Sequence, residues 1–129
     1  MKIKLFTDLM AWKKSHELVL YIYKITKDYP KDELFGLISQ SKRATASVAA
    51  NIVEGFRRQG LKDSLKFYNQ ADASLEELKY HLMLARDLDY ISKERYNFIF
   101  TKAEETGRLL YGWIKSQKKI FITYSAYFA

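Results

Sequence analysis

The sequence predicts an all-α fold, an up-down-up-down antiparallel four-helix bundle. Three observations point there. Proline occurs once and glycine five times in 129 residues, too little punctuation for an all-β fold, which turns often. Four segments repeat apolar residues at three- and four-residue steps, the helical period. The connections between them are short, which makes successive helices antiparallel neighbours.

The first helix is expected from about Asp8 to Lys27. Trp12, Val19, Ile22, Tyr23 and Thr26 recur at helical steps, and His16 lies in the same row, read as a structural histidine hydrogen-bonded in the core. Asp8 is the expected N-cap, because its carboxylate accepts an orphan backbone N–H. Tyr29-Pro30 ends the helix, since the residue before proline is pushed out of helical geometry.

The second helix is expected from Asp32 to Arg57, with Asp32 and Glu33 at the positive end of its dipole and Gly60 as the break beyond it. The third runs from Lys62 to Leu88, with Leu65, Tyr68, Ala71, Leu75, Leu78, Leu82 and Ala85 in register. The fourth starts near Ser92, an N-cap candidate, and carries Ile99, Ala103, Leu110 and Ile114 to about Lys118. One domain over residues 1–119 follows, with a distinct tail over 120–129. That tail, IFITYSAYFA, is aromatic, uncharged and β-prone. It reads either as an extended arm that packs on its own bundle or on a neighbouring subunit, or as a partly disordered end.

Composition narrows the function classes. There is no cysteine, hence no disulfide framework, thiolate metal site or cysteine nucleophile. No segment approaches the roughly 18 apolar residues of a membrane span, and the start MKIKLFTDLM has no apolar signal region. A cytoplasmic protein without membrane association is the expectation. The net charge of +7 is uneven: residues 1–66 hold 13 basic and 7 acidic side chains, residues 67–129 hold 9 and 8. A basic half suits a polyanionic partner such as nucleic acid.

The second helix carries the most unusual stretch, ATASVAANIV (residues 44–53), without a single charge. At 100° per residue it separates into three faces. Leu34, Ile38, Thr45, Val48 and Ile52 form the core face. Gln40, Arg43, Ser47, Asn51 and Glu54 form a polar seam, read as a hydrogen-bonded network in which Arg43 and Glu54 pair within or between subunits. Phe35, Ser39, Ala46, Ala50 and Val53 form a small or apolar third face. A monomer's outer helix face should be charged. This face therefore predicts a second packing surface, most simply an oligomer interface with another copy of the chain.

A search for catalytic chemistry finds none. A di-iron bundle needs Glu-x-x-His, and no Glu here has His three residues on. There is no P-loop, GxGxxG, GxSxG or zinc spacing. No metal, no cofactor and no enzymatic activity are expected. Basic residues do cluster. Arg57, Arg58, Lys62 and Lys66 gather at the corner between the second and third helices. Lys62 and Lys66 stand one turn apart, where like charges repel unless a polyanion visits. Lys13, Lys24 and Lys27 form a second stripe on the first helix, and Lys42 can join either patch. Such patches bind nucleic-acid backbone, RNA or DNA, without reading base sequence. The alternative is a structural or protein-interaction hub with no nucleic-acid role, presenting the tail or the acidic rim of Glu76, Glu104 and Glu105 to a protein partner.

The densest pattern, LISQSKRATASVAANIVEG from Leu37 to Gly55, carries a family resemblance, extended by Phe6, Leu9, Trp12, Leu18, Tyr23 and Pro30 before it. Arg58, Lys62, Phe67, Ala71, Ser74, Leu75, Glu77, Leu78 and Leu88 continue it. The chain resembles the four-helix-bundle proteins encoded in intervening sequences of bacterial 23S rRNA genes, relatives of the accessory proteins of diversity-generating retroelements. It departs at Gly60, where a capping serine is usual, at Ala73, where glycine is usual, and at Ser64, where a bulky apolar residue is usual. The resemblance implies a homo-oligomer, a homopentamer, with an accessory role beside a nucleic-acid enzyme such as a reverse transcriptase and RNA as a partner.

Overall fold

The computed structural model describes residues 3–128; Met1, Lys2 and Ala129, which the expected bundle and tail include, lie outside the described residues. Four helices form the bundle: α1 Met10–Ile25, α2 Ser39–Arg57, α3 Leu61–Asp87 and α4 Lys93–Phe128. α1 packs along α2 and α4, and α3 packs along the same two, which is the square order of an up-down-up-down bundle. Side-chain pairs fix the antiparallel sense. Ser47 of α2 meets Ser74 of α3. On α3 and α4, Tyr68 meets Trp113 and Lys79 meets Glu104. On α1 and α4, Tyr21 meets Phe98, while Asp28 just beyond α1 meets Arg95.

The core is where the third and fourth periodic rows place it. Tyr68, Ala71, Leu75, Leu78, Leu82 and Ala85 are buried against Ile99, Ala103, Leu110 and Ile114, with Leu65 at the margin. Val48, Ile52 and Thr45 of α2 are fully buried. Three buried hydroxyls fold back on the preceding helical turn: Ser15 donates to the Ala11 carbonyl at 2.7 Å, Thr26 to Ile22 at 2.8 Å and Thr106 to Lys102 at 2.9 Å. Each thereby enters the core without an orphan donor.

Five expectations are corrected. On α1 the buried row is Ala11, Ser15, Leu18, Ile22 and Ile25, with Thr26 buried beyond it; Ile22 and Thr26 stand where expected, whereas Trp12, Val19 and Tyr23 give way to neighbours one residue round. The small Ala11 and Ser15 turn inward, while Trp12 lies half-buried under an edge-on Phe6 at 5.1 Å. His16 is therefore exposed, its ring stacked on Trp12 at 5.1 Å with planes 5° apart, and it makes no core hydrogen bond. Asp8 does not cap the helix. It closes a 3₁₀ turn over Phe6–Asp8, and Leu9 occupies the N-cap without a side-chain bond.

Leu34 is not in the core; it is 53% exposed. A π-helical turn over Leu34–Ile38, with non-helical backbone at Gly36, precedes α2 and shifts the phase of everything before it. Leu37 and Ile38, after the break, are buried. Finally, the tail is not extended. α4 runs unbroken through it to Phe128, because its backbone continues an existing helix and meets no strand among the described residues with which β-prone residues could pair.

The helix ends follow local chemistry. Ser92 caps α4, accepting the Arg95 N–H at 3.1 Å. Gly60, lacking a capping side chain, is the N-cap of α3. α3 ends in a Schellman motif: Tyr90 N–H donates to the Ala85 carbonyl and Asp89 N–H to Arg86, with Asp89 at φ 60°. Tyr90 then donates its hydroxyl to Glu33 at 2.7 Å. The other Glu33 oxygen accepts the Leu37 N–H. One carboxylate thus holds both connections at that end of the bundle.

Candidate nucleic-acid interface

Arg57, Arg58, Lys62 and Lys66 meet at the turn between α2 and α3, as their spacing suggested. Arg57 is the last residue of α2, and Arg58 is its C-cap, the Arg58 N–H donating to the Glu54 carbonyl at 3.2 Å. The Ser64 hydroxyl donates to the Arg58 carbonyl at 3.4 Å, tying the start of α3 to the turn.

The four cations are not equivalent. The Arg58 guanidinium is paired with Glu54 at 3.2 Å and with Asp63 at 3.7 Å. It also lies over the Phe67 ring, 4.5 Å from its centroid. It is a surface strut that braces the corner. Its pairing occupies both carboxylates of the turn, and Arg57, Lys62 and Lys66 are exposed with no carboxylate partner among the described residues. Four cations against two carboxylates leave the corner a net positive charge, with Arg57, Lys62 and Lys66 open to solvent.

The other predicted cations separate from this group. Lys13, Lys24 and Lys27 are exposed along α1 and the 3₁₀ turn after it. Lys42 stands over the Tyr23 ring of α1 at 4.9 Å, which assigns it to the α1 stripe rather than to the corner. Sequence reasoning passed over Lys115, Lys118 and Lys119, all exposed on α4. Their signal was the antiparallel register. Tyr68 faces Trp113, so Lys62, six residues before Tyr68, lies level with Lys119, six after Trp113. By the same count Lys66 lies level with Lys115.

The polar seam of α2 is partly realised. The Ser47 and Ser74 hydroxyls are 2.9 Å apart, and the Asn51 amide donates to both the hydroxyl and the carbonyl of Ser47 at 2.9 Å. Gln40, Arg43 and Ser47 line a cleft of about 310 Å³ with Ser74 and Glu77. Within the chain, Arg43 does not pair with Glu54. The two are 11 residues apart, about 16 Å along a helix, and Glu54 is taken by Arg58. Beneath this seam His81 is buried, its Nδ1 without a hydrogen-bond partner.

On the third face, Phe35 is 92% exposed and Ala50 is exposed, while Ser39, Ala46 and Val53 are half-buried. Val53 shares a cleft with Ile3, Leu5, Phe6 and Phe56, so the N-terminal segment flanks that end of the face. The acidic rim is offset from within. Lys79 bridges Glu76 and Glu104, at 3.1 and 3.6 Å, and Lys102 reaches Glu105 at 3.9 Å. No group of three or more metal-ligating side chains converges among the described residues. No helix there is long and apolar enough to cross a membrane.

Residues 7–112 match the family model of the 23S rRNA-intervening sequence protein. A crystal structure of a protein with unknown function from the S23 ribosomal protein family of Bacteroides thetaiotaomicron superposes with a TM-score of 0.76 at 29% identity, over 81% of this chain and 95% of that one. No curated protein matches the sequence.

Proposed function

The chain belongs to the 23S rRNA-intervening sequence protein family, and we propose that it is a non-enzymatic, oligomeric bundle that binds nucleic-acid backbone through its basic corner. One observation carries the reading. Arg58 holds both carboxylates of the α2–α3 turn and leaves Arg57, Lys62 and Lys66 exposed without a carboxylate partner, at a corner that is net positive. Phosphates are the anions such a spread of flexible cations suits. Repetition of the corner in an oligomer would multiply the contacts and steepen the salt dependence. An accessory role beside a nucleic-acid enzyme, in the cytoplasm, fits a protein that supplies backbone affinity without chemistry of its own.

The test compares two triple variants. Changing Arg57, Lys62 and Lys66 to Gln should weaken binding to a fluorescent RNA or DNA strand and flatten its salt slope by about two to three. Changing Lys13, Lys24 and Lys27 to Gln should do less. Equal affinity of the corner variant and the wild type contradicts the assignment. The protein-hub reading retains one supporting feature, the apolar side chains exposed on the last turns of α4; the acidic rim, internally paired, no longer favours it.

A further inference from the structure

Phe35 is 92% exposed, more than any other large apolar side chain among the described residues. Its backbone is nevertheless braced. The π-helical turn over Leu34–Ile38 is held by Glu33, whose carboxylate accepts the Leu37 N–H at 3.2 Å and the Tyr90 hydroxyl at 2.7 Å. Gly36 makes room for that carboxylate: a β-carbon there would sit 2.7 Å from its Oε1. A bare ring on a backbone already fixed loses little further freedom when a partner covers it.

The same chain carries an apolar cleft of about 500 Å³ at the far end of α2, where Val53 and Phe56 share it with Ile3, Leu5 and Phe6 of the N-terminal segment. Val53 stands about 18 residues beyond Phe35, about 27 Å along a helix, so a chain cannot fill its own cleft with its own ring. Charge distinguishes the two ends. Asp32 and Glu33 against Lys31 make the approach to Phe35 net acidic, and Asp32 is exposed. Lys4 and Arg57 line the cleft, and no carboxylate does.

An aromatic side chain with an acidic approach suits an apolar cleft with a basic lining, and both belong to one molecule. We propose that the cleft of one copy receives Phe35 of a second copy of this chain, with Asp32 brought to Lys4. Arg57 stands where the cleft and the basic corner meet, so the contact sets the corner of one copy beside the start of α2 in the next. The inference rests on the oligomer of the proposed function and names the contact that builds it. Each copy gives one ring and one cleft, which closes reciprocally in a twofold dimer or head-to-tail around a ring.

The experiment is light scattering on the full chain and two variants, at high micromolar concentration. Phe35→Ser removes the ring and keeps the cleft. Val53→Glu puts a carboxylate in the cleft and keeps the ring. Each variant alone should have the mass of one chain, 15.2 kDa, with the helical circular dichroism spectrum in place, whereas the wild type has at least twice that mass. Mixed in equal amounts, the two variants should form a pair, because the cleft of the first accepts the ring of the second. Leu5→Glu, at a position 61% exposed, repeats the cleft change where the fold does not depend on the side chain, and should behave as Val53→Glu does. Wild-type mass in the folded Phe35 variant or in the Leu5 variant, or single variants that stay apart when mixed, overturns the inference and leaves the oligomer standing. A wild type of one chain overturns the inference and the oligomer together.

Discussion

Tyr68 packs against the bare α-carbon of Gly55: a β-carbon there would sit 2.5 Å from Cε1 of the ring and 2.8 Å from Cδ1. Tyr68 is itself fully buried, edge-on to Trp113 at 6.1 Å. The ring has no room to retreat. Gly55 closes the uncharged run of α2 for a packing reason, letting α2 and α3 approach over an aromatic side chain just before the turn.

Gly55→Ala should therefore destabilise the bundle by about 1–3 kcal/mol through overpacking, despite the helix propensity gained. Thermal unfolding followed by circular dichroism should show a Tm several degrees lower. Shrinking the ring in the same chain, Tyr68→Leu, should make the alanine less costly than it is alone, a coupling that a double-mutant cycle reads directly. An unchanged Tm for Gly55→Ala would mean that the ring shifts freely.

Asp89 adopts φ 60° at the Schellman position after α3. Asp89→Gly should stabilise the protein by about 0.5–1 kcal/mol, because glycine reaches this conformation without the β-carbon penalty. Urea unfolding at constant m-value measures it. Destabilisation would mean that the aspartate side chain matters more than its backbone.

His81 gives the stability a pH dependence. Burial pushes its imidazole below the ordinary value of 6.5, with the Glu77 carboxylate opposing more weakly. The unfolded chain therefore holds the proton more tightly than the folded one. Stability from this group is complete above the ordinary value and declines as pH falls through it. Between about pH 7.5 and 5.5, above most carboxylate titrations, wild-type Tm should fall, and His81→Gln should remove most of that fall. An equal slope in both proteins would place the dependence elsewhere.

Ala50 and Phe35 test the third face of α2. Ala50→Arg puts a charge in the middle of that exposed face. It should lower the mass measured by light scattering while leaving the helical circular dichroism spectrum in place. Phe35→Ser, removing an almost fully exposed ring, should do the same at no cost to the monomer fold. Unchanged mass in both would mean that the face does not bring copies together.

The rows of α3 and α4 were readable because long uninterrupted helices hold one phase over many turns. Leu75, Leu78 and Leu82 find their places by period alone. Phase fails where backbone intervenes: the break at Gly36 carries Leu34 out of the core, and nothing in LFGLI announces a π-helical turn. On α1 Ile22 and Thr26 lie in the core as the period placed them, but Trp12 and Tyr23 do not, because they outweigh Ala11 and Ser15 in hydrophobicity, whereas close helix packing selects the small residues. The tail was misjudged for the opposite reason. Its residues favour strands locally, but the helix already running through Lys118 decides their conformation. In the corner, residue type and spacing located the four cations. Their division into one strut and three free charges depends on Glu54 and Asp63 converging on Arg58 across the turn, a tertiary fact without a sequence period.

The most direct test of the central claim is the salt dependence of nucleic-acid binding by the wild-type chain, read by fluorescence anisotropy on protein whose mass light scattering has defined. The account predicts micromolar or tighter affinity at low salt, falling linearly on a log–log plot with a slope of at least about −2 from the three free corner cations. Absence of binding at low salt, or an affinity indifferent to salt, would contradict it and leave the positive charge of the corner without a phosphate partner.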